Sequence, residues 1–379
     1  MRVLIVTIPG DAHAHAVSWG LEQLGHVAVK WYPADLSAGA TWDFDPTSNV
    51  LNIHHRDVHE ELRLGDFDGI WMRRVPLVVH LPAIEEQNER AAAETEMAHF
   101  IVGICQAAEK ETPLCVNPIS KMWGAERKIG QLSLASRLGL RVPKTRVTNR
   151  LAALQAFHAS QDESLIWKPL KAFLWSRGDG HTVIPPTTRI ESLDIFETAD
   201  VANSPAIYQE LIDKAVEIRA VIMGQTVFAF ETRPISGTFD QVDWRFEHGT
   251  TASHAQHQLP QDIADRCLSL ARSLGLLYAA IDLAIDQTGN YIFFEINPGG
   301  QFLFGEDLVP DMPLLDAFCK FLVSRDPNFV YEQVANPIRF FNYTSEVDFE
   351  GDVDLEIQGH AGILTKYHFA RVSIPLFPQ

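Results

Sequence analysis

Nothing in this 379-residue sequence is apolar for the ~20 consecutive residues that a membrane span requires. The opening run Met-Arg-Val-Leu-Ile-Val-Thr-Ile-Pro-Gly is too short for a signal peptide and passes straight into polar sequence. Cysteine is scarce. Cys105, Cys115, Cys267 and Cys319 are widely spaced in apolar surroundings, without a Cys-x-x-Cys pair, so buried free thiols in a reducing compartment are expected. Positive charge is short too: 31 Lys and Arg stand against 49 Asp and Glu, a formal charge of −18. That balance disfavours a nucleic-acid partner, because little is left to balance a phosphate backbone over a long surface. Any phosphate site must be built locally from a few convergent cations. Walker A and GxGxxG motifs, internal repeats and low-complexity tracts are also missing. A cytoplasmic protein without membrane contact is expected.

What is present is ordinary in bulk, 46% hydrophobic and 21% charged residues, in a chain long enough for two or three packed units. The pattern predicts strands at 2–8, 27–31 and 69–74 alternating with helices at 14–25 and 82–110, an α/β unit with a parallel sheet. Asn117-Pro118 breaks this alternation. A helix at 123–138 comes next, then a strand at 142–148, a helix at 149–158 and a strand at 164–168 cut off by Pro169. Strands fill 206–232, with a turn at Met223-Gly224-Gln225. Helices at 260–275 and 313–324 flank the next apolar strands. Beyond Arg325-Asp326-Pro327 come short strand-like pieces with Gly351, Gly359 and Gly362.

Residues 282–297 carry the densest signal. They alternate as a β-hairpin about Thr288-Gly289. If residues 287 and 290 pair, Asp282 lies opposite Glu295, while Ile281, Leu283 and Ile285 face Ile296, Phe294 and Ile292. Asn297, two residues on, shares the face of the carboxylates beside Ala280. Like charges directly opposite destabilise a sheet. A divalent cation reverses that penalty, and two carboxylates with an amide oxygen are hard ligands suited to Mg²⁺. The bland alternative is a solvated face whose charges never meet.

Other residues fit a nucleotide site. Lys128 on the predicted helix and Lys168 at the end of an apolar strand can reach phosphate oxygens. Tyr208-Gln-Glu-Leu-Ile-Asp-Lys214 ends another strand; its backbone can pair with an adenine edge, leaving Glu210 or Glu217 for the ribose. Ser176-Arg-Gly-Asp-Gly-His181 is a Gly-rich turn whose N–H groups can close on phosphates. His13, His15, Arg73 and Arg74 follow strands where open α/β sheets place ligands, against the plainer expectation of solvated loops and surface ion pairs. His54, His55 and His59 are expected at the surface.

The order Lys128, Lys168, Glu210, Arg219, Asp282, Glu295, Asn297 resembles the ATP-grasp superfamily. Trp71-Met-Arg-Arg74, Ile166-Trp-Lys-Pro-Leu170, Val216-Glu-Ile-Arg219, Val242-Asp-Trp-Arg245 and Glu295-Ile-Asn-Pro-Gly-Gly-Gln-Phe302 resemble one branch, the graspetide (microviridin-type) peptide ligases. The resemblance implies an α/β protein with an ATP-grasp fold: a pre-ATP-grasp domain over 1–120, a two-lobed catalytic domain over 121–325 with its hinge near 208–214, and a β-rich extension over 326–379. It implies ATP held by Lys128, Lys168, Gln209, Glu210, Leu211, Ile212 and Glu217, with two Mg²⁺ ions on Asp282, Glu295 and Asn297. Arg219 and Arg245 are then the catalytic candidates, gripping the transferred phosphoryl group and the carboxylate. A competing partner for Arg219 is Glu217, its same-face neighbour. The implied reaction activates a side-chain carboxylate of a precursor peptide as an acyl phosphate, and a hydroxyl or amine then closes an ω-ester or ω-amide link. The implied partner is a peptide with a leader and an acidic, hydroxyl-bearing core, and a homodimer is possible. Two alternatives remain at this point: a ligase for a free amino acid or small acid, and a non-catalytic ATP-binding regulator.

Overall fold

The computed structural model describes residues 1–33, 40–55, 58–76, 79, 81, 83–161, 164–171, 175–176, 182–183, 187–190, 192–194, 196–235 and 252–347. Three main sheets and a small meander order them. The first sheet is parallel, in the order β2-β1-β6-β7, from β1 (Arg2–Val6), β2 (Val27–Trp31), β6 (Gly69–Met72) and β7 (Cys115–Val116). Its centre, Val3 to Val6 and Ile70 to Met72, is buried on both faces, as crossover helices require. Those helices are α1 (Ala12–Gln23), capped by the Asp11 carboxylate on the Ala14 N–H at 2.9 Å, and α2 (Gln87–Glu111), capped by Glu86. The α2 cap explains why this helix starts later than the apolar pattern predicts.

Between β2 and β6 lies an antiparallel meander of β3 (Thr41–Asp45), β4 (Val50–His55) and β5 (Val58–Arg63), which the expected element order lacks. Its signal is the alternation of Trp42, Phe44, Leu51 and Ile53 with polar residues, and these four pack on the first sheet's core. His54 and His59 are exposed and stack across its outer face, ring centroids 4.5 Å apart.

The helix expected over 123–138 is two: α3 (Ile119–Ala125) and α4 (Lys128–Arg137). Arg127 is extended between them, so α4 restarts with Lys128 as its first residue. The second sheet, antiparallel in the order β12-β9-β13-β8, is built from β8 (Thr145–Thr148), β9 (Leu165–Lys168), β12 (Thr188–Ile190) and β13 (Ala206–Glu210), with α5 (Leu151–Ala159) and α6 (Thr198–Asn203). A short ladder of β10 (Trp175–Ser176) and β11 (Thr182–Val183) stands beside it, and the Gly-rich turn at 177–181 lies outside the described residues.

The third sheet runs β16-β15-β14-β17-β18, all antiparallel, from β14 (Lys214–Met223), β15 (Thr226–Pro234), β16 (Ala252–Gln256), β17 (Tyr278–Asp286) and β18 (Tyr291–Asn297). One face buries Ile218, Ala220, Leu283, Phe293 and Ile296 under α4 and α7 (Gln261–Ser273). The strands continue into a second core with α1, α8 (Phe304–Leu308), α9 (Leu314–Ser324) and α10 (Phe340–Glu346), centred on Phe302, Phe318 and Phe321. Of the extension expected over 326–379, residues 326–347 are described; they carry α10 and no strand. Two buried carboxylates hold them down. Asp316 accepts the Tyr331 hydroxyl at 2.8 Å and the Ile338 N–H at 3.2 Å, and Glu306 accepts the Phe340 N–H at 2.8 Å. Gly351, Gly359 and Gly362 lie outside the described residues. All four cysteines are buried free thiols, and no described helix is long and apolar enough to cross a membrane.

Candidate active site

The hairpin at its base pairs as expected: Asp282 faces Glu295, Ile281 faces Ile296 and Ala280 faces Asn297. Nearer the turn the expected register is wrong. Leu283 faces Phe293 and Ile285 faces Tyr291, leaving Phe294 unpaired as a β-bulge. The cause is the turn. Gly289 N–H bonds to Asp286 O at 3.0 Å, and Asp286 pairs with Asn290, so the loop has three residues and Gly289 holds φ +85°. This is the type I turn with a left-handed glycine that three-residue hairpins favour. The bulge restores the offset and brings the two carboxylates face to face.

Across the third sheet the same row continues. Arg219 on β14 faces Asp282, and its Nη1 donates to Asp282 Oδ1 at 2.6 Å. At the other end Lys128 Nζ lies 3.1 Å from Glu295 Oε2. The line reads Lys128, Glu295, Asp282, Arg219, with a cation at each end of the opposed carboxylates. Glu217 pairs instead with Lys214, so the local partner considered for Arg219 is taken elsewhere. Burial works against the Arg219 charge, yet Asp282 overcomes it and raises its pKa. Arg219 Nη2 donates to Gln301 O at 3.0 Å, and its Nε is buried without a partner among the described residues.

Lys168 ends β9 and is 7% exposed. Burial first, then the charge of Lys128, push its pKa down to about 8, while Glu295 and Asp282 pull the other way. All four groups therefore share one electrostatic neighbourhood. In the second sheet Gln209 is fully buried, donating from Nε2 to Thr145 Oγ1 at 2.8 Å, and its Oε1 has no partner among the described residues. Glu210 accepts the Lys144 N–H at 2.9 Å, Leu211 N–H bonds to Ser164 O at 2.8 Å, and Ile212 continues the link to β14. Arg245 lies outside the described residues.

Two buried amides fix this geometry, and sequence reasoning passed over both. Gln131, one turn after Lys128, donates to Ile296 O at 2.8 Å and accepts Ile296 N–H at 3.2 Å. It thereby pins the residue between Glu295 and Asn297 to the helix that carries Lys128. Asn117 donates to Tyr278 O and Pro298 O at 2.8 and 2.9 Å, and accepts the N–H groups of Leu277 and Tyr278 at 2.8 and 3.0 Å. The sequence showed Gln131 only as a residue spaced one turn from Lys128, and Asn117 only as a chain break.

After Asn297 the chain runs through a loop whose backbone is held on every side. Asn297 Oδ1 accepts Gly299 N–H at 3.1 Å. Arg73 Nη1 donates to Gly299 O at 2.8 Å, the Tyr278 hydroxyl to Gly300 O at 2.7 Å, and Arg219 to Gln301 O. The Phe302 and Leu303 N–H groups donate to His13 Nε2 at 3.1 and 3.3 Å. Glycine is required at 300, because a Cβ there would meet Ala280 Cβ at 2.5 Å and Arg219 Nη2 at 2.9 Å.

His13 is thus no solvated loop residue. It lies in α1, 4% exposed, and burial together with Arg73 drives its pKa well below the usual value, keeping the ring neutral as an acceptor. Its Nε2 is engaged by these two backbone N–H groups. His15 lies two residues on in α1, partly buried. Arg73 is buried against Asp11 at 3.1 Å, and Arg74 is 41% exposed with its Nε 3.4 Å from the same carboxylate.

No protein-family model and no curated protein sequence matches the chain. Solved structures do. The macrocyclase MdnC of Microcystis aeruginosa, bound with its precursor peptide MdnA, shares 26% identity at a TM-score of 0.73, covering 86% of this chain and 100% of that one. This protein has the ATP-grasp fold. A Chryseobacterium gregarium RiPP-associated ATP-grasp ligase, solved with ADP and a leader and core peptide, aligns at 20% identity and a TM-score of 0.70, covering 86% of this chain and 97% of its own. The macrocyclase MdnB of Microcystis aeruginosa aligns at 22% identity and 0.69, covering 85% and 99%. The row from Lys128 to Arg219 therefore belongs to a chain of ATP-grasp fold, and the three neighbours named are two macrocyclases and a ligase.

Proposed function

We propose that this protein is an ATP-dependent peptide ligase that forms ω-ester or ω-amide links within a ribosomally made precursor peptide. The observation that carries this is the row Lys128, Glu295, Asp282, Arg219 beside buried Lys168, in a chain similar to a macrocyclase solved with its precursor. The catalytic unit in this reading spans 121–325, behind a pre-ATP-grasp domain over 1–120, and works in the cytoplasm.

ATP lies with its adenine against Gln209, Glu210, Leu211 and Ile212, its ribose at Glu217, and its phosphates at Lys128 and Lys168. The donor set fits Mg²⁺, for Asp282 and Glu295 oppose each other with the Asn297 amide on the same face, all hard oxygen ligands. Bound there, Mg²⁺ supplies positive charge against the phosphate oxygens. The remaining work falls to the chain. A side-chain carboxylate oxygen of the peptide attacks the γ-phosphorus and the bond to the β-phosphate oxygen breaks, giving an acyl phosphate and ADP. Lys168, held in a dry site, and Lys128 stabilise the charge that develops. Arg219, fixed by Asp282 and Gln301 O, presents its remaining face to the transferred group, and Arg245 is assigned the same task. A hydroxyl or amine then attacks the acyl carbon, phosphate leaves and the attacking group loses its proton.

Incubation with a cognate precursor rich in Thr, Ser, Asp and Glu, with ATP and Mg²⁺, is expected to remove one water per link and to release ADP and phosphate. Release of AMP, or ADP release driven by small free acids without peptide, overturns this assignment.

A further inference from the structure

Closing the link requires a base. The hydroxyl or amine that attacks the acyl carbon sheds a proton, and a positioned side chain that titrates near neutrality is suited to take it. The acids and the imidazole described so far are engaged. Asp282 is bound to Arg219, Glu295 to Lys128 and Glu217 to Lys214, while His13 Nε2 takes two backbone N–H groups. Lys128 and Lys168 are assigned to phosphate.

The register of the third sheet brings one more group to this face. Glu217 on β14 pairs with Thr232 on β15, and Thr232 pairs with His254 on β16. Arg219 stands two residues beyond Glu217 on the same strand, so Arg219, Glu217, Thr232 and His254 share one face. This second polar row runs beside the one that ends at Arg219, a single register step along the strands. With neighbouring strands about 4.8 Å apart, the Cα atoms of His254 and Arg219 are about 12 Å from each other. Side chains reaching inward from both ends leave room for a phosphorylated carboxyl group and the atom that attacks it.

His254 reaches inward although β16 is an edge strand. Its Nδ1 lies 3.0 Å from Thr232 Oγ1, and Thr232 is 3% exposed. Its Nε2 has no hydrogen-bond partner among the described residues. The ring is partly buried, and burial lowers its pKa below the usual value, so it is neutral at and above pH 7. A base needs the lone pair on Nε2, which requires Nδ1 to carry the hydrogen and donate it to Thr232 Oγ1. The Thr232 hydroxyl then needs an acceptor of its own. The Glu217 carboxylate pairs across from it, with more lone pairs than its contact with Lys214 engages.

We infer that His254 is the catalytic base of the closing step, receiving the proton of the attacking hydroxyl or amine on Nε2, and that Thr232 holds its ring in the required tautomer. As the attacking atom bonds to the acyl carbon, its proton passes to Nε2. The bond from that carbon to the phosphate oxygen breaks, phosphate leaves with the electron pair, and His254 returns the proton to solvent. This rests on the function proposed above.

The test uses the full chain, ATP, Mg²⁺ and the precursor peptide that drives ADP release in the assay above. Neutral hydroxylamine intercepts an acyl phosphate as a hydroxamate without help from a protein base, so hydroxamate reports the first step and loss of water from the peptide reports closure. His254→Gln is expected to form hydroxamate within about threefold of wild type and to close links at least about 100-fold more slowly. Thr232→Val is expected to slow closure by about tenfold, and Thr232→Ser, which keeps the hydroxyl, to restore it. A His254→Gln that closes links at the wild-type rate overturns the inference. Loss of hydroxamate together with closure overturns it too, by making His254 a residue of peptide binding or folding. A wild type that yields neither hydroxamate nor ADP with peptide strikes instead at the function proposed above.

Discussion

Lys128 Nζ lies 3.1 Å from Glu295 Oε2, and this contact reverses the expected cost of the two opposed carboxylates. Each acid already has its own cation. Removing Glu295 therefore relieves the repulsion with Asp282 but gives up the contact with Lys128, whose charge then acts on Lys168 without that acid between. The pair is partly exposed, so Glu295→Gln is expected to change stability by less than about 1 kcal/mol in urea melts without metal, and not to stabilise. Peptide-dependent ADP release is expected to fall by about 10²–10³-fold. A variant with near-normal turnover removes Glu295 from the chemistry.

Lys168 makes the pH behaviour specific. Its pKa is about 8 in the folded protein, and the unfolded value is the ordinary one, near 10.4. Between those values the unfolded chain holds a proton the folded one lacks, so this residue makes stability rise with pH there. Below about 8 both states are protonated and the folded state bears the full penalty, on the order of 3 kcal/mol. Lys168→Met is accordingly expected to be more stable than wild type at neutral pH without nucleotide, the gain fading as pH approaches about 10. Denaturant melts at the two pH values measure this. The same variant is expected to lose its thermal response to ATP, and wild-type affinity for ATP is expected to weaken as pH rises through about 8.

Two glycines separate crowding from backbone freedom. Gly300→Ala drives a Cβ into Ala280 and Arg219, with an expected cost of about 1–3 kcal/mol and at least a tenfold loss of turnover. Gly130, inside α4, has open space where its Cβ would stand. Gly130→Ala is expected to raise stability by roughly 0.5–1 kcal/mol. Denaturation midpoints of the two variants should move in opposite directions; if both fall, crowding at residue 300 is not the cause.

Asn117 is 1% exposed and answers four backbone groups at the entry to β17 and the exit from β18. Asn117→Ala leaves buried donors and acceptors unpaired and is expected to cost about 3 kcal/mol. Equilibrium unfolding checks this, and a loss below about 1 kcal/mol would mean that water replaces the amide.

The sequence held the site's residues more openly than their partners. Asp282, Glu295 and Asn297 were visible because alternation puts them on one face. The register near the turn was not, because Tyr291-Ile-Phe-Phe294 is apolar at every position and a pattern of period two has no phase in such a run. Arg219 had a visible neighbour in Glu217 but bonds to Asp282, 63 residues away, a pairing that only the sheet order creates. His13 looked like loop because its acceptor role depends on backbone groups of Phe302 and Leu303. The alternation of Trp42, Phe44, Leu51 and Ile53 carries the meander's signal, and residues 326–347 are mostly irregular, with one short helix, α10.

The unpaired Phe294 has a consequence for how the hairpin tolerates change. On its turn side the two strands keep one phase, on its acid side another, and a single residue absorbs the mismatch. The acid side takes its alignment from Gln131 and Asn117, which grip the backbone at Ile296 and Tyr278, so it does not depend on the count of residues at the tip. The tip works as a slip coupling: a residue more or less there is taken up at the bulge while Asp282 and Glu295 stay in step beneath it.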